Sequence, residues 1–305
     1  MLERKNPLVF NIIAVLLSLL CFLIAALSHP APIVADETPP PATVQSSDAG
    51  GRQATPALSR VEFNEEYFSG YLTDLKSIVT APVRWDASDW FTAGITTGIA
   101  AGLYCNDEKI MKWIQDHKTT TSVHIGDTVT DFGHGKYTPI ILGGMYLYGH
   151  VADDNNMRGA ALLSVESFVL TGLIVQVTKH LTHRHRPDTG DPPHTFDGPA
   201  FHSTSSNSSL PSGHASSAFA VASVIASVYD NAVIPPLAYG IAGITALNRV
   251  QHNAHWPSDV FVGSAIGYFT GKLVVSSHRT SGNGKLSLVP VMNEEGMGLA
   301  MMYRF

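Results

Sequence analysis

Two basic residues, Lys179 and Arg186, lie seven residues apart in a segment that ends at Pro187. A helix that continued through the segment would place both cations on one face, because seven residues make about two helical turns. Pro187 biases Arg186 away from helical geometry and marks the boundary there. Two converging cations suit a phosphate or another oxyanion, although basic residues at a helix end also complement the helix dipole.

A second segment, Pro211-Ser212-Gly213-His214, directly precedes an apolar stretch that begins at Ala215. If a helix starts here, Ser212 and the unobstructed backbone at Gly213 expose amide N–H groups, which bind anions at helix N-termini. His214 would then lie in the first turn, where it could donate a proton to a leaving oxygen. The same pattern, taken alone, is also that of a simple helix cap.

The third segment contains Arg249, His255 and, in a predicted helix start, Pro257 and Asp259. Proline suits the first helical turn, so the Asp259 carboxylate could reach back towards His255. A histidine held by a carboxylate is fixed in one tautomer, which favours its use as a base or nucleophile. Arg249 adds a third cation to the set.

Together the three segments resemble the type 2 phosphatidic acid phosphatase (PAP2) superfamily, which also includes bacterial class A acid phosphatases and vanadium haloperoxidases. The family pattern is Lys-x6-Arg-Pro, Pro-Ser-Gly-His and Ser-Arg-x5-His-x3-Asp. The chain carries it at residues 179–187, 211–214 and 248–259, with one departure. Asn248 stands where the family usually has serine, and both residues can hydrogen-bond an anion.

The resemblance implies an all-α, PAP2/chloroperoxidase-like helical bundle in which the three segments meet at one end. It also implies that His255 attacks phosphorus and forms a phosphohistidine, that Asp259 orients it, and that His214 protonates the leaving alcohol. The residues expected to hold the phosphoryl oxygens are Lys179, Arg186, Ser212, Gly213 and Arg249. Because fixed cations can neutralise the phosphoryl charge, no metal or other cofactor is expected.

The remaining histidines suggest a metal site as an alternative to the metal-free phosphatase site. His180, His183 and His185 crowd together, and His252 precedes His255 by three residues. Without cysteines or carboxylates these spacings are not a convincing ligand set, so structural or exposed roles are expected. Trp256 is expected to pack in the domain, with a place in the pocket wall as the alternative.

Composition excludes several classes of protein. The chain has 305 residues, a formal net charge of −6 and only 14% charged residues, against about 25% in an average soluble domain. No basic surface is available for a nucleic-acid partner. A hydrophobic content of 45% excludes global disorder, and a mean hydropathy of +0.10 is compatible with membrane contact.

The N-terminus predicts export. Arg4 and Lys5 precede an apolar stretch from Pro7 to Leu27, so residues 1–28 are either a cleaved signal peptide or a retained anchor. Either choice places the remaining chain outside the cytoplasm, at the inner membrane facing the periplasm or free in the periplasm. Residues 29–60 are predicted to be a disordered Pro/Ser/Gly linker, 61–280 the phosphatase domain and 281–305 a β-hairpin.

Helical patterns dominate the predicted domain. The expected helices cover residues 61–78, 90–104, 137–150, 158–180, 215–229, 232–247 and 258–275. Most are rich in Gly, Ala and Ser, which permit close packing, and Glu166 interrupts the longest of them. A packed bundle on or beside a membrane is favoured over six spans, and the number of spans stays open.

The motifs predict the type of reaction but do not identify one substrate. Export and low charge favour a phosphorylated lipid, such as phosphatidic acid, phosphatidylglycerol phosphate, an isoprenyl diphosphate or a lipid A phosphate. The alternatives are a soluble-type acid phosphatase acting on small phosphate esters, a vanadate-dependent haloperoxidase, and a catalytically silent membrane or interaction protein. The oligomeric state is not predicted.

Overall fold

The computed structural model describes residues 61–202, 204–229 and 231–279, together with the backbone of two C-terminal strands. The predicted signal peptide or anchor and the linker lie outside the described residues. The described part is helical between residues 61 and 279, so the all-α prediction is confirmed. Its α-helices are α1 (Glu65–Thr80), α2 (Ala87–His117), α3 (Thr120–Val129), α4 (Tyr137–Val151), α5 (Asn155–Thr182), α6 (Gly213–Val228), α7 (Ile234–Gln251) and α8 (Pro257–Ser277). Short 3₁₀ turns cover Ala81–Arg84, Thr130–Gly133 and Pro187–Thr189.

The seven expected helices are all present, one of them is much longer than predicted, and one further helix was not predicted. Helix α2 is longer than predicted at both ends. It starts at a capping box in which the Asp86 side chain accepts from the backbone of Ser88 and Asp89, and it continues through polar residues as far as His117. Helix α3 was not predicted, because its threonine-rich sequence lacks a clear apolar period.

Helix α5 ends at Thr182, two residues beyond the expected end at residue 180, and His183 takes a left-handed conformation with φ 43°. The His183 ring is buried between the carbonyl oxygens of Gly198, at 2.8 Å, and His202, at 3.1 Å. The helix therefore does not continue as far as Arg186, so Lys179 and Arg186 do not share one helix face.

Helix α6 lies at the centre of the bundle and packs against α5, α7 and α8. The main core cluster includes Leu163 and Leu170 of α5, Val224 of α6 and Ile266 of α8, all nearly inaccessible to solvent. Burial of these side chains holds together the helix ends that carry the three motifs.

The contact between α6 and α8 is close enough to require glycine. Gly263, Gly267 and Gly271 recur at four-residue spacing and form one face of α8. A Cβ added to these three residues would lie 2.6, 2.0 and 2.6 Å from backbone oxygens of residues 212, 216 and 220, respectively. The helix backbones thus touch directly, and the Ser212 amide donates to the Asp259 carbonyl at 3.0 Å. This contact brings the second and third motifs side by side.

Two of the helices, α5 and α8, are long and apolar enough by length and composition to cross a membrane. More than half of each apolar stretch, 61% and 56%, is buried inside the bundle.

The C-terminal strands pair as predicted. Strand β1 (Lys285–Asn293) runs antiparallel to β2 (Gly296–Arg304). The expected packing of this hairpin on the domain lies outside the described residues.

We expect Gly267→Ala to destabilise the fold by about 1–3 kcal/mol, because its Cβ would overlap the Ser216 carbonyl oxygen. Gly172→Ala in α5 is the matched control, since nothing lies within 4 Å of its added Cβ. Removing a mid-helix glycine there should stabilise by about 0.5–1 kcal/mol. Denaturant unfolding of both variants in detergent measures the difference, and equal effects would contradict the close α6–α8 contact.

Candidate active site

The first two predicted cations meet at one residue of the loop that precedes α6. Lys179 Nζ donates to the Ser208 carbonyl oxygen at 2.7 Å, and Arg186 Nη2 contacts Ser208 Oγ at 3.4 Å. The Arg186 amide also donates to the Ser206 carbonyl at 2.9 Å. The loop therefore brings Lys179 and Arg186 together although no common helix carries them.

Arg249, near the end of α7, joins the same group of charges. Its guanidinium hydrogen-bonds the Asn248 side chain, which in turn donates to Asp127 at 2.9 Å. Burial lowers the pKa of Arg249, and the nearby charge of Arg186 acts in the same direction. Asn248, the one departure from the family pattern, thus positions Arg249 and ties it to α3.

Several buried donors in this region have no hydrogen-bond partner among the described residues. They are Arg186 Nε, Arg249 Nε and Ser212 Oγ. Buried polar groups normally have hydrogen-bond partners. Three buried donors without a partner, one from each motif, therefore require an explanation. An oxyanion placed among them would satisfy all three.

Ser212 and Gly213 form the start of α6. Ser212 is the N-cap residue, yet its side chain makes no capping bond. A Cβ added at Gly213 would have Val175 as its nearest neighbour, at 4.0 Å, so the backbone faces open space. The helix N-terminus therefore adds accessible amides and a positive dipole end beside the cations.

His255 is buried, with 3% of its surface exposed, and its tautomer is set by a backbone group. Its Nδ1 lies 2.7 Å from the Ser209 carbonyl oxygen. Because a carbonyl can only accept, Nδ1 carries the hydrogen and Nε2 keeps its lone pair. Burial, followed by the charges of Lys179 and Arg186, holds the His255 pKa well below its ordinary value. The imidazole is consequently neutral and nucleophilic at Nε2.

Asp259 does not contact His255, so the predicted direct hydrogen bond is wrong. As the third residue of α8, it caps the helix by accepting from the Trp256 amide at 2.9 Å. Its Oδ2 also accepts from Ser209 Oγ at 2.5 Å. Since the Ser209 carbonyl binds His255, the carboxylate positions the imidazole through Ser209.

A fully buried arginine, Arg184, binds Asp259 and so holds its carboxylate in place. Its Nη1 donates to Asp259 Oδ1 at 2.5 Å and its Nη2 to Asp107 Oδ2 at 2.7 Å. Nε and the same Nη2 also donate to the Pro193 carbonyl oxygen, at 3.0 and 2.7 Å. The guanidinium carbon lies 5.1 Å from the centre of the Tyr104 ring. The ion cluster therefore joins α2, the loop after α5 and the start of α8.

Sequence reasoning missed Arg184, Asp107 and Ser209. Arg184 stands between the two residues of the first motif, where one more basic residue carried no distinct signal. Asp107 lies far from the motifs in the chain, in a polar stretch of α2 with no local sign of burial. Ser209 was one of several serines in a polar loop, and only the fold identifies its partner.

His214 lies in the first turn of α6, as predicted, and is half-buried. Burial, then the positive charges of Arg249, His134, Lys179 and Arg186, lower its pKa to about 3. The ring is thus neutral in the free site. An anion bound nearby would offset those cations and raise the pKa of His214.

His185 and His252, two of the histidines considered as metal ligands, have acidic hydrogen-bond partners. The His185 ring contacts Asp191 at 2.7 Å and Asp197 at 3.0 Å, and His252 contacts Asp127 at 2.7 Å. Trp256 is 5% exposed and donates from its indole to the His185 carbonyl at 2.9 Å, so it packs in the core. Within the described ranges, neither His180, His183 and His185 nor the pair of His252 and His255 belongs to a group able to hold a metal.

Comparison with known proteins agrees with the motifs. Residues 160–283 match the model of the PAP2 superfamily, and this range contains all three motifs. The family resemblance predicted from the three segments is thereby confirmed.

A curated relative, the lipid A 1-phosphatase of Porphyromonas gingivalis, is 33% identical over 106 residues. The match covers 34% of this chain and 20% of the relative, so the chain spans about a fifth of that protein's length.

Two solved structures are also similar. Aquifex aeolicus LpxE is 18% identical, with 55% of this chain and 93% of that chain covered and a TM-score of 0.43. A transmembrane PAP2-type phosphatidylglycerolphosphate phosphatase from Bacillus subtilis is 21% identical, with coverages of 68% and 92% and a TM-score of 0.40.

We expect Arg184→Leu to destabilise the protein by about 3–5 kcal/mol, because it leaves two buried carboxylates without their cation. Arg158→Leu is the matched control, since its partner Asp153 is 90% exposed and such a pair contributes about 1 kcal/mol or less. Denaturant unfolding compares the two. A loss at Arg184 no larger than that at Arg158 would show that the buried cluster does not hold the site.

Proposed function

We propose that the protein is a phosphatase that hydrolyses a phosphomonoester or diphosphate through a phosphohistidine intermediate. The observation that supports this most directly is the set of three buried, unpartnered donors in the motifs, together with the neutral His255 of the third motif. They belong to the three separate motifs, and a single phosphoryl group would satisfy all of them. Phosphoryl transfer needs charge neutralisation and alignment above all, which this set provides.

In the first step, the His255 Nε2 lone pair forms a bond to phosphorus as the bond to the leaving oxygen breaks. Lys179, Arg186, Arg249 and the amides at the start of α6 hold the non-bridging oxygens. His214, protonated once the phosphate dianion is present, gives its proton to the leaving alcohol. The Ser209 carbonyl, which accepts from Nδ1, stabilises the positive charge that develops on the imidazole.

In the second step, His214 removes a proton from water, and the water oxygen attacks phosphorus. The bond between Nε2 and phosphorus breaks and returns its electron pair to His255. Inorganic phosphate then leaves. His214 takes up one proton from solvent when the phosphate binds and returns one proton to solvent when inorganic phosphate departs, so both histidines are neutral again in the free site. The residues named here can therefore complete the cycle in this proposal without a cofactor.

We also propose that the substrate is a phosphorylated lipid. Val169, Leu173, Val177 and Leu181 are 39–52% exposed and form a stripe along α5 that ends beside Lys179. Ile244 and Leu247, also exposed, precede Arg249 on α7. Contiguous exposed apolar surface leading to an anion site suits a phosphate carried on an apolar chain. The curated relative acts on a lipid phosphate by its name, which supports the same choice. In this proposal the protein is membrane-associated, with its site on the periplasmic side.

We expect His255→Ala to lower kcat for phosphate release by at least about 10³-fold, because it removes the nucleophile. Activity of the wild type should persist in excess chelator and be inhibited by vanadate. His150→Ala, a substitution of an exposed histidine at the end of α4, is the control and should retain activity. A turnover rate that falls to zero without divalent metal would contradict the mechanism. Halide oxidation with vanadate and peroxide, without ester hydrolysis, would favour the haloperoxidase instead.

We expect kcat/KM for lipid phosphates in mixed micelles to exceed that for water-soluble esters by about tenfold or more, because the lipid chain adds binding energy remote from phosphorus. Leu181→Gln should reduce the rate on the lipid while leaving the soluble ester unaffected. Equal values for both substrates would remove the lipid proposal and leave a soluble-type acid phosphatase.

A further inference from the structure

A second cluster of ionisable side chains lies away from the phosphate site. Asp74 of α1, Glu166 of α5 and His278, which caps α8, converge so that one ligand atom of each lies within 4.8 Å of the others. Glu166 and Lys179 are thirteen residues apart on α5, which is about 20 Å along the helix. The cluster is therefore separate from the residues that act on phosphorus.

The two carboxyl groups of this cluster are buried beside each other. Glu166 is 0% exposed and Asp74 is 2% exposed, and neither oxygen of Glu166 nor Asp74 Oδ2 makes a hydrogen bond of ordinary geometry. Burial, followed by the charge of Asp74, raises the pKa of Glu166 to about 8, so the pair holds a proton unless a cation takes its place. The described residues place no Lys or Arg in an ion pair with either carboxylate.

His278 presents the nitrogen that a metal would need. Its Nδ1 lies 3.0 Å from the Val274 carbonyl oxygen and so carries the hydrogen. The Nε2 lone pair is then directed inwards, 3.8 Å from Glu166 Oε2. A histidine whose other nitrogen donates to a backbone carbonyl is the usual arrangement for a metal ligand, because that bond fixes the tautomer and the ring orientation.

The packing leaves room beside these atoms. Gly70 faces the cluster from α1, and a Cβ added there would lie 3.6 Å from His278 Nε2 and 3.8 Å from Glu166 Oε1. Ligand atoms around a tetrahedral zinc ion are about 3.3 Å apart, so small inward rotations would bring the three atoms to bonding distance.

We propose that Asp74, Glu166 and His278 bind a divalent transition-metal ion, with Zn²⁺ as the best-fitting ion. Mixed imidazole and carboxylate ligands suit zinc, whereas Mg²⁺ prefers oxygen ligands and retains several waters. The ion would neutralise the buried carboxylates and join α1 to α5 and α8. Its role is structural, so it binds without taking part in the reaction of His255.

The test uses the full chain, purified in detergent, stripped with chelator, reloaded with Zn²⁺ and desalted. We expect one equivalent of zinc per chain by mass spectrometry of the metal content. We also expect the unfolding midpoint to rise by about 5 °C or more over the stripped protein. Co²⁺ loaded in the same way should give visible absorption bands typical of a site with nitrogen and oxygen ligands.

Glu166→Gln should abolish both the retained zinc and the rise in midpoint, and the stripped variant should be no less stable than the stripped wild type. Glu108→Gln, at an exposed glutamate of α2, is the matched control and should retain both. If Glu166→Gln fails to fold, His278→Gln at the half-buried rim replaces it, with the same expectation. Zinc retained equally by the cluster variants, or absent from the reloaded wild type, would overturn the proposal.

The metal test is independent of the phosphatase proposal. Turnover measured well below the unfolding midpoint should be the same for stripped and reloaded protein. A loss of hydrolysis in His255→Ala with zinc retained separates the two sites, as does a loss of zinc in Glu166→Gln with hydrolysis retained.

Discussion

The architecture of the site depends on one buried ion cluster, in which the Arg184 guanidinium bridges the carboxylates of Asp107 and Asp259. All three side chains are inaccessible to solvent, so loss of any one leaves an uncompensated charge. Asp259 extends this cluster to Ser209, whose carbonyl fixes the tautomer of His255. The buried ion pair is thereby connected to the His255 ring, the proposed nucleophile, through Ser209.

The proposed phosphate-binding groups depend on a second constraint, the direct backbone contact between α6 and α8. The glycines of α8 let the start of α6 approach Asp259, which places His214 and the α6 amides beside His255. The preceding loop completes the site, since Ser208 holds both Lys179 and Arg186. Three segments that are separate in the chain are thus brought together, and each contributes one buried, unpartnered donor.

The sequence predicted the helices and the motif residues well because both are local signals. Apolar periodicity located seven helices, and fixed spacing identified Lys179, Arg249 and His255. Contacts between segments were harder to predict. Asp259 was expected to hold His255, but helix capping directs its carboxylate to Trp256 and Ser209. Arg184 and Asp107 gave no separate signal, because a buried ion pair between distant residues exists only in the folded chain.

Because the Ser209 carbonyl binds Nδ1 of His255, only Nε2 can attack phosphorus in the proposed mechanism. Rapid mixing with substrate, alkaline quenching and ³¹P NMR of the trapped phosphoenzyme distinguish the two phosphohistidine isomers, and peptide mass spectrometry locates the residue. Phosphate on Nε2 of His255 is the expected result. Phosphate on Nδ1, on another residue, or no phosphoenzyme under conditions of active turnover would contradict it.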